Sequence, residues 1–223
     1  MIHNGQIVAK NFFSFQNSKS YDNIVKYTTF GRDSLWKKNM IKHMGNEHRN
    51  VLDLACGTGI LSLYIPSNKF IAGADLTYDY ILNAKYRNKY SILTNSIAEE
   101  LPFRSNVFDV VISSYLSKYA DTLLLASEIW RILKNNGLVI MHDFTYPDNK
   151  LLQTSWHFYF SLLKKLGKYL KSWEFIFSNL DTVIKNSKWT ENLISDLKKK
   201  GFQSIDCKYY TWKTSAIILA QKP

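Results

Sequence analysis

The segment Val51-Leu52-Asp53-Leu54-Ala55-Cys56-Gly57-Thr58-Gly59 constrains this chain most. An apolar run ends on an acidic residue and meets a tight glycine turn, and an apolar segment from Ile60 to Ile65 reads as the start of a helix that Pro66 stops. Glycines lack Cβ, so the backbone there turns sharply and lies close against a ligand. A helix start adds N–H groups without intrahelical partners. A strand, turn and helix of this kind belongs at the carboxyl edge of an open α/β sheet, where ligands bind at the topological switch point.

The rest of the chain supplies the sheet. Strands are predicted at 50–55, 70–74, 91–94, 108–113 and 138–142, and helices at 34–44, 77–87 and 122–133 alternate with them. Asp33 or Ser34 is the expected cap of the first of these helices, and Asn135-Asn136-Gly137 is expected to end the last. Alternation implies a parallel sheet with right-handed crossovers. A long aromatic helix is predicted over 151–170 and another over 191–200. Two short strands, 205–210 and 216–220, then finish the sheet with an antiparallel edge. The chain reads as one domain over 1–223, with a helical lead-in at 1–45 and a helical insert at 148–190.

Two cofactor classes compete for the turn. A dinucleotide site needs G-x-G-x-x-G, but Ser62 stands where the third glycine belongs. Asp53, four residues before Gly57, would repel phosphates and suits a cationic cofactor. S-adenosylmethionine carries a sulfonium and an amino group and has no phosphate. Asp75, at the end of the second strand, is placed to accept ribose hydroxyls, a role shared by both classes. On the other reading, Asp53 and Asp75 are helix caps and the glycines a structural turn.

The formal net charge is +11, and from Asp148 onward thirteen Lys and Arg face six Asp and Glu. The excess suits an anionic membrane surface or nucleic acid, or simply solvated lysine faces. The two cysteines, Cys56 and Cys207, form no CxxC pattern, so no metal site is expected and the chain reads as reduced and cytoplasmic. No apolar run approaches the roughly 18–20 residues of a membrane helix. The start, Met1-Ile2-His3-Asn4-Gly5, lacks a signal-peptide layout.

Several segments together resemble the class I S-adenosylmethionine-dependent methyltransferases: Asp53–Gly59, Gly73-Ala74-Asp75-Leu76, Ala98–Phe103, Phe108–Val111 and Glu128 with Arg131–Lys134. Tyr21-Asp22, Thr29-Phe30-Gly31, Trp36-Lys37, Asp143–Pro147, Gly201-Phe202 and Lys222 are similar to the menaquinone/ubiquinone-biosynthesis C-methyltransferases. The resemblance implies a Rossmann-like fold: a mostly parallel seven-stranded sheet with an antiparallel edge and helices on both faces. It implies that Asp53, Gly57, Thr58 and Gly59 hold the methionine end of S-adenosylmethionine, with Ala55 also at the cofactor. Asp75 would bind ribose, Leu76, Ile97 and Ala98 would flank adenine, and Ser114 would close the pocket floor. Three departures concern adenine and acceptor. Ile97 stands where the family has Asp or Asn, leaving Ser96 or backbone to bond the adenine amine. Tyr115–Tyr119 replaces a stretch carrying an arginine implicated in substrate deprotonation, with Lys118 the nearest basic residue. Val25 and Asp33 stand where the family has Asn and His.

A phenol or hydroquinone ring carbon becomes nucleophilic when its hydroxyl loses a proton, so a base is sought. Lys118, Asp33 and Asp143 are the candidates, with His142 and His157 behind them. Phe13, Tyr27, Tyr115 and Trp156 are expected in a hydrophobic acceptor pocket, within a wider aromatic set that includes Phe12, Phe144, Tyr159 and Phe160. The expected activity is methylation of a hydrophobic small molecule, such as a prenylated quinol ring carbon. A nucleic-acid methyltransferase and an inactive partner subunit are the alternatives. The partners expected are the small hydrophobic substrate, an anionic membrane surface at the periphery and a second copy as a homodimer, with nucleic acid ranked below them.

Overall fold

The computed structural model describes residues 4–223. Among these residues seven strands form one sheet in the order β3-β2-β1-β4-β5-β7-β6. They are β1 (Asn50–Leu54), β2 (Phe70–Asp75), β3 (Ile92–Asn95), β4 (Phe108–Ser114), β5 (Leu133–Phe144), β6 (Gln203–Tyr210) and β7 (Ser215–Gln221). β1 to β5 pair in parallel. β7 pairs antiparallel with both β5 and β6. The sheet is therefore mostly parallel with one antiparallel edge. The order reverses between β1 and β4, and that is where the glycine turn sits.

Period-two alternation within the strands sorts side chains onto two faces. Leu52, Leu54, Val111, Val139, Met141 and Ile218 pack with α6 (Thr122–Ile132) and α9 (Trp189–Lys200) through Leu125, Ile129, Leu193 and Leu197. Val51, Ile71, Val110, Ile112, Ile140 and Ile217 face Met40 of α4 (Arg32–Ile41) and Leu61 and Ile65 beyond the glycine turn. α5 (Tyr78–Lys85) follows β2. A third cluster lies among the helices: Phe12 of α1 (Asn4–Phe12) meets Tyr119 and the aromatic faces of α7 (Lys150–Gly167) and α8 (Lys171–Ser187). Between α1 and α4 run the short α2 (Phe15–Ser18) and α3 (Tyr21–Thr28). No helix among the described residues is long and apolar enough to cross a membrane.

Three local expectations are corrected. The segment after Gly59 forms only a 3-10 turn, Leu61–Tyr64, and Ile65 is already extended at ψ 131°. Pro66 forces this, because its ring excludes the helical region for the residue before it. The glycine turn therefore opens on one tight 3-10 turn within the expected 60–65, not on an α-helical start. Second, α4 is capped by Gly31 at φ 73°, not by Asp33 or Ser34. The Asp33 side chain turns inward instead, to Lys37 and to the Tyr115 hydroxyl. Third, Asn135-Asn136-Gly137 does not follow a helix end. α6 stops at Ile132 and these residues form an irregularity within β5, where pairing jumps from Phe108–Leu133 to Val110–Leu138. Asn136 takes φ 62° there, the positive angle foreseen for it, in a strand bulge.

Candidate active site

Two cavities adjoin at the carboxyl edge of the sheet. The first holds about 740 Å³ of empty space, its mouth included, between the ends of β1, β2 and β4 and the overlying α1. Ala55, Gly57, Asp75, Leu76, Ser96, Ile97, Ala98 and Ser114 line it, as do Gln6 and Ala9 of α1. Ala55 takes φ 56° and Gly57 φ 55°, the left-handed angles that turn the chain at the strand end. A Cβ added to Gly57 would meet only Tyr80, at 3.7 Å, so the backbone lies open to the cavity at this point.

Asp75 is fixed by backbone. Its Oδ2 accepts the Gly57 N–H at 2.7 Å and its Oδ1 the Thr77 N–H at 2.8 Å. Each oxygen retains a second lone pair for a hydroxyl. Burial pushes the Asp75 carboxyl up to about 6, against the pull of those two N–H groups. Asp53 is more deeply enclosed. Its Oδ2 accepts the Tyr90 hydroxyl at 2.6 Å, whereas Oδ1 is buried with no protein partner. Desolvation raises this carboxyl to about 7, opposed by the Tyr90 bond and by Lys37. The Ser96 hydroxyl is likewise buried without a protein partner. Buried polar atoms are seldom left unsatisfied, and of these two the Ser96 hydroxyl belongs to the cavity wall.

Asp53, Thr58 and Gly59, expected at the methionine end, lie outside the lining of this cavity. Gly59, at φ 79°, packs so tightly that an added Cβ would stand 3.0 Å from Tyr90 and 3.2 Å from Ala84. The Thr58 hydroxyl donates to Asp22 Oδ1 of α3 at 2.5 Å. Arg87 pairs with Asp22 and donates through Nε to the Thr58 carbonyl at 2.9 Å. Thr58 thus ties the lead-in helices to the turn. Gln6 Nε2 donates to Glu99 Oε2 at 3.0 Å and fastens α1 over the other side.

The second cavity, about 1660 Å³ with its mouth, runs between α3, α4, α7 and α8. Phe13, Tyr21, Tyr115 and Tyr119 line both cavities and form the partition between them. Phe13 meets Tyr21 and Tyr119 edge-on, at 6.1 and 5.9 Å between centroids. Of the four residues expected at the acceptor, Phe13, Tyr115 and Trp156 line this cavity. Tyr27 does not: it is 70% exposed on α3 and outside the lining.

The proton-transfer candidates separate clearly. Lys118 lines the second cavity and is buried. Its ammonium donates to Asp143 Oδ1 at 2.7 Å and to the Tyr115 carbonyl at 3.0 Å, and lies 4.4 Å from the Tyr119 ring centroid. Desolvation lowers the Lys118 pKa and Asp143 partly restores it. Asp143 also accepts the backbone N–H groups of Lys118 and Phe144. Asp33 is occupied by Lys37 and the Tyr115 hydroxyl, and it lines neither cavity. His142 lies buried between the hydroxyls of Ser114 and Ser215, at 2.9 and 2.8 Å. Desolvation holds its pKa well below the usual value, so the ring is neutral. His157 meets Tyr146 at an exposed position.

The sequence profile of the ubiE/COQ5 methyltransferase family matches residues 2–222. The chain belongs to that family. It is an S-adenosylmethionine-dependent methyltransferase, and the first cavity fits that cofactor. A carboxylate braced by two N–H groups stands at its wall, an apolar slot lies at Leu76, Ile97 and Ala98, and the buried Ser96 hydroxyl of the wall lacks a protein partner. Among relatives, the ubiquinone/menaquinone biosynthesis C-methyltransferase UbiE of Citrifermentans bemidjiense is 31% identical over 66% of this chain and 68% of its own. The demethylmenaquinone methyltransferase of Leptospira interrogans is 27% identical over 92% of this chain and 89% of its own. The fold is shared with a putative S-adenosylmethionine-dependent methyltransferase from Methanococcus maripaludis, at TM-score 0.67 and 18% identity over 94% and 93% of the two chains. It is also shared with the plantazolicin methyltransferase BpumL, at TM-score 0.68 and 13% identity over 98% and 95%.

Eight of the cofactor residues named from the sequence line this cavity, and the residues that brace it carry little signal of their own. Tyr90, which holds Asp53, follows no motif and is set by the loop after α5, where Asn88 takes φ 54°. Arg87 carries no signal of its own. Asp22 and Tyr21 did carry one, because both belong to the N-terminal signature.

Proposed function

We propose that this methyltransferase acts on a ring carbon of a prenylated quinol. One observation carries the reading: an apolar cavity of about 1660 Å³ shares its aromatic partition with the cofactor cavity and holds one buried ammonium, Lys118, in its wall. A polar acceptor would leave most of that lining unsatisfied, whereas a flat ring with an isoprenoid tail gains from burying it. The names of the relatives point the same way.

S-adenosylmethionine, when bound, supplies an electrophilic methyl group beside the partition. The chain's own residues supply alignment and charge. Phe13, Tyr21, Tyr115 and Tyr119 orient the acceptor ring and keep water from the transfer path. Lys118 stabilises the acceptor oxygen in its ionised form, its proton having passed to solvent, because an ammonium in an enclosed apolar wall acts far more strongly on a phenolate than in water. Asp143 positions Lys118, and Asp33 positions the Tyr115 ring. The adenine edge falls to Ser96 in place of the Asp or Asn that Ile97 replaces.

Labelled S-adenosylmethionine, offered with a prenylated demethylquinol and with RNA, tests the reading. Label in the quinol fraction is expected; label in RNA, or in neither, overturns it. Lys118→Met is expected to lower kcat by about a hundredfold or more while leaving cofactor affinity within twofold, in line with loss of a positioned charge.

A further inference from the structure

Three separate elements meet at the mouth of the acceptor cavity, and each pushes apolar side chains into solvent. The corner between α3 and α4 presents Phe30, 81% exposed, and the turn between β6 and β7 presents Trp212, 75% exposed. Both rings also line the cavity. Each is held out by left-handed backbone: Phe30 has φ 51° ahead of Gly31 at 73°, and Thr211, Trp212 and Lys213 have φ 49°, 55° and 62°. A bulky residue enters that region rarely, and three in succession do so in this turn.

The third element is α7. Leu152, Ser155 and Tyr159 line the cavity. On the adjoining solvent face Leu151, Phe158, Leu162 and Leu166 fall at spacings of seven and four, so they form one stripe. Leu151 is 76% and Phe158 65% exposed. The Phe30 ring lies 6.1 Å from Tyr159, and Trp212 shares a surface hollow with Leu152, so the three elements form one continuous rim. Lys26 stands in the last turn of α3, Arg32 opens α4 and lines the cavity, and Lys150 opens α7, while Lys213 of the β6–β7 turn pairs with Asp148 at 2.8 Å. Exposed aromatics at loop tips, an apolar helix stripe and flanking lysines form the pattern of a surface that lies in a membrane interface.

We infer that this rim seats the mouth of the acceptor cavity on an anionic bilayer. The inference rests on the proposed prenylated acceptor and supplies its route: the tail would pass from the lipid between Phe30, Trp212 and α7 without crossing water. Burial of the rim's apolar groups and attraction of its cations both contribute, and neither requires a membrane-spanning helix.

Sedimentation with vesicles tests this without acceptor or cofactor, so the result is independent of whether the quinol assignment holds. The protein is expected to pellet with phosphatidylcholine vesicles containing phosphatidylglycerol and to bind pure phosphatidylcholine at least about tenfold more weakly. Phe30→Ser with Trp212→Ser should cut binding to the anionic vesicles by about tenfold or more, with an unchanged melting temperature. Lys26→Glu with Lys150→Glu should do the same, while leaving methyl transfer to a soluble, tail-free quinol unaltered. Equal binding to both vesicle types overturns the inference, as does wild-type binding by both variants. A rim that binds RNA but not vesicles overturns it too, as does a dimer in sedimentation velocity that F30S/W212S dissociates.

Discussion

At the scale of single residues, two buried carboxylates, Asp75 at the cofactor cavity's wall and Asp53 behind the glycine turn, are held in unfavourable surroundings. Asp53 and Asp75 are each raised by burial, to about 7 and about 6. A carboxyl whose folded pKa lies above its unfolded value favours folding in its protonated form. Its contribution is full below about pH 4 and is lost as pH rises through the folded value. Wild-type stability contributed by Asp53 therefore declines between about pH 4 and 7. Asp53→Asn, which carries no charge to desolvate, should gain stability over the wild type at pH 8 by on the order of 2–4 kcal/mol and show little gain at pH 4.5. Chemical denaturation at the two pH values reads this; a gain that does not depend on pH would reject the assignment. Ser96 gives the complementary case. Its buried hydroxyl has no protein partner, and Ser96→Ala should weaken S-adenosylmethionine binding about three- to tenfold in titration calorimetry, the worth of one hydrogen bond. Unchanged affinity would return the adenine edge to backbone groups alone.

At the scale of elements, most of the sheet was legible and the tight places were not. Strands such as Phe108–Ser114 announce themselves because a strand buried on both faces is a continuous apolar run. The amphipathic α6 is equally plain, with Leu125 and Ile129 four apart and Ile132 three further on. The turn Leu61–Tyr64 was misread as a longer helix because an apolar run of six does not reveal its period. The bulge at Asn135–Gly137 was read as a helix end because the same residues serve both geometries. The cavity wall was legible through Asp75 and Gly57; Tyr90 and Arg87 were not, because only tertiary packing brings them to the turn. Gly73 is a case in which β2 depends on a distant residue. An added Cβ would stand 2.7 Å from Leu93 and 2.8 Å from Tyr90. Gly73→Ala should therefore destabilise by about 1–3 kcal/mol and displace the Tyr90 hydroxyl from Asp53. Thermal unfolding gives the first effect, and a weaker cofactor affinity than in Leu93→Ala gives the second.

At the scale of the whole molecule, the lead-in helices are a cover held by a few polar contacts over an apolar hinge. Phe12 buries α1 against Tyr119 and Phe175, while Gln6–Glu99 and Asp22 with Thr58 and Arg87 fasten the rim of the cofactor cavity. Gln6 and Ala9 of this cover line the first cavity, so its fastenings bear on that cavity's wall. Arg87→Ala removes the ion pair and the bond to the Thr58 carbonyl. Amide exchange across α3 and the turn 56–60 should then rise at least about tenfold, with little change in β4 or β5. Uniform exchange throughout the protein would mean that Arg87 serves global stability instead.

The position of β7 between β5 and β6 bears on how the protein is made. A ribosome delivers β6 before β7, so β6 emerges with no strand to join. The edge of β5 belongs to β7, and the edge β6 will use does not yet exist. The parallel half can assemble as it leaves the exit tunnel, but the antiparallel half waits for residues 215–221. Until they arrive, β5 offers Val139, Ile140 and Met141 along an unpaired edge, the kind of surface that captures a strand from a neighbouring nascent chain. The final strand is therefore both the last piece of the sheet and its protection against aggregation during synthesis, and slow translation just before Ser215 would lengthen the interval of greatest risk.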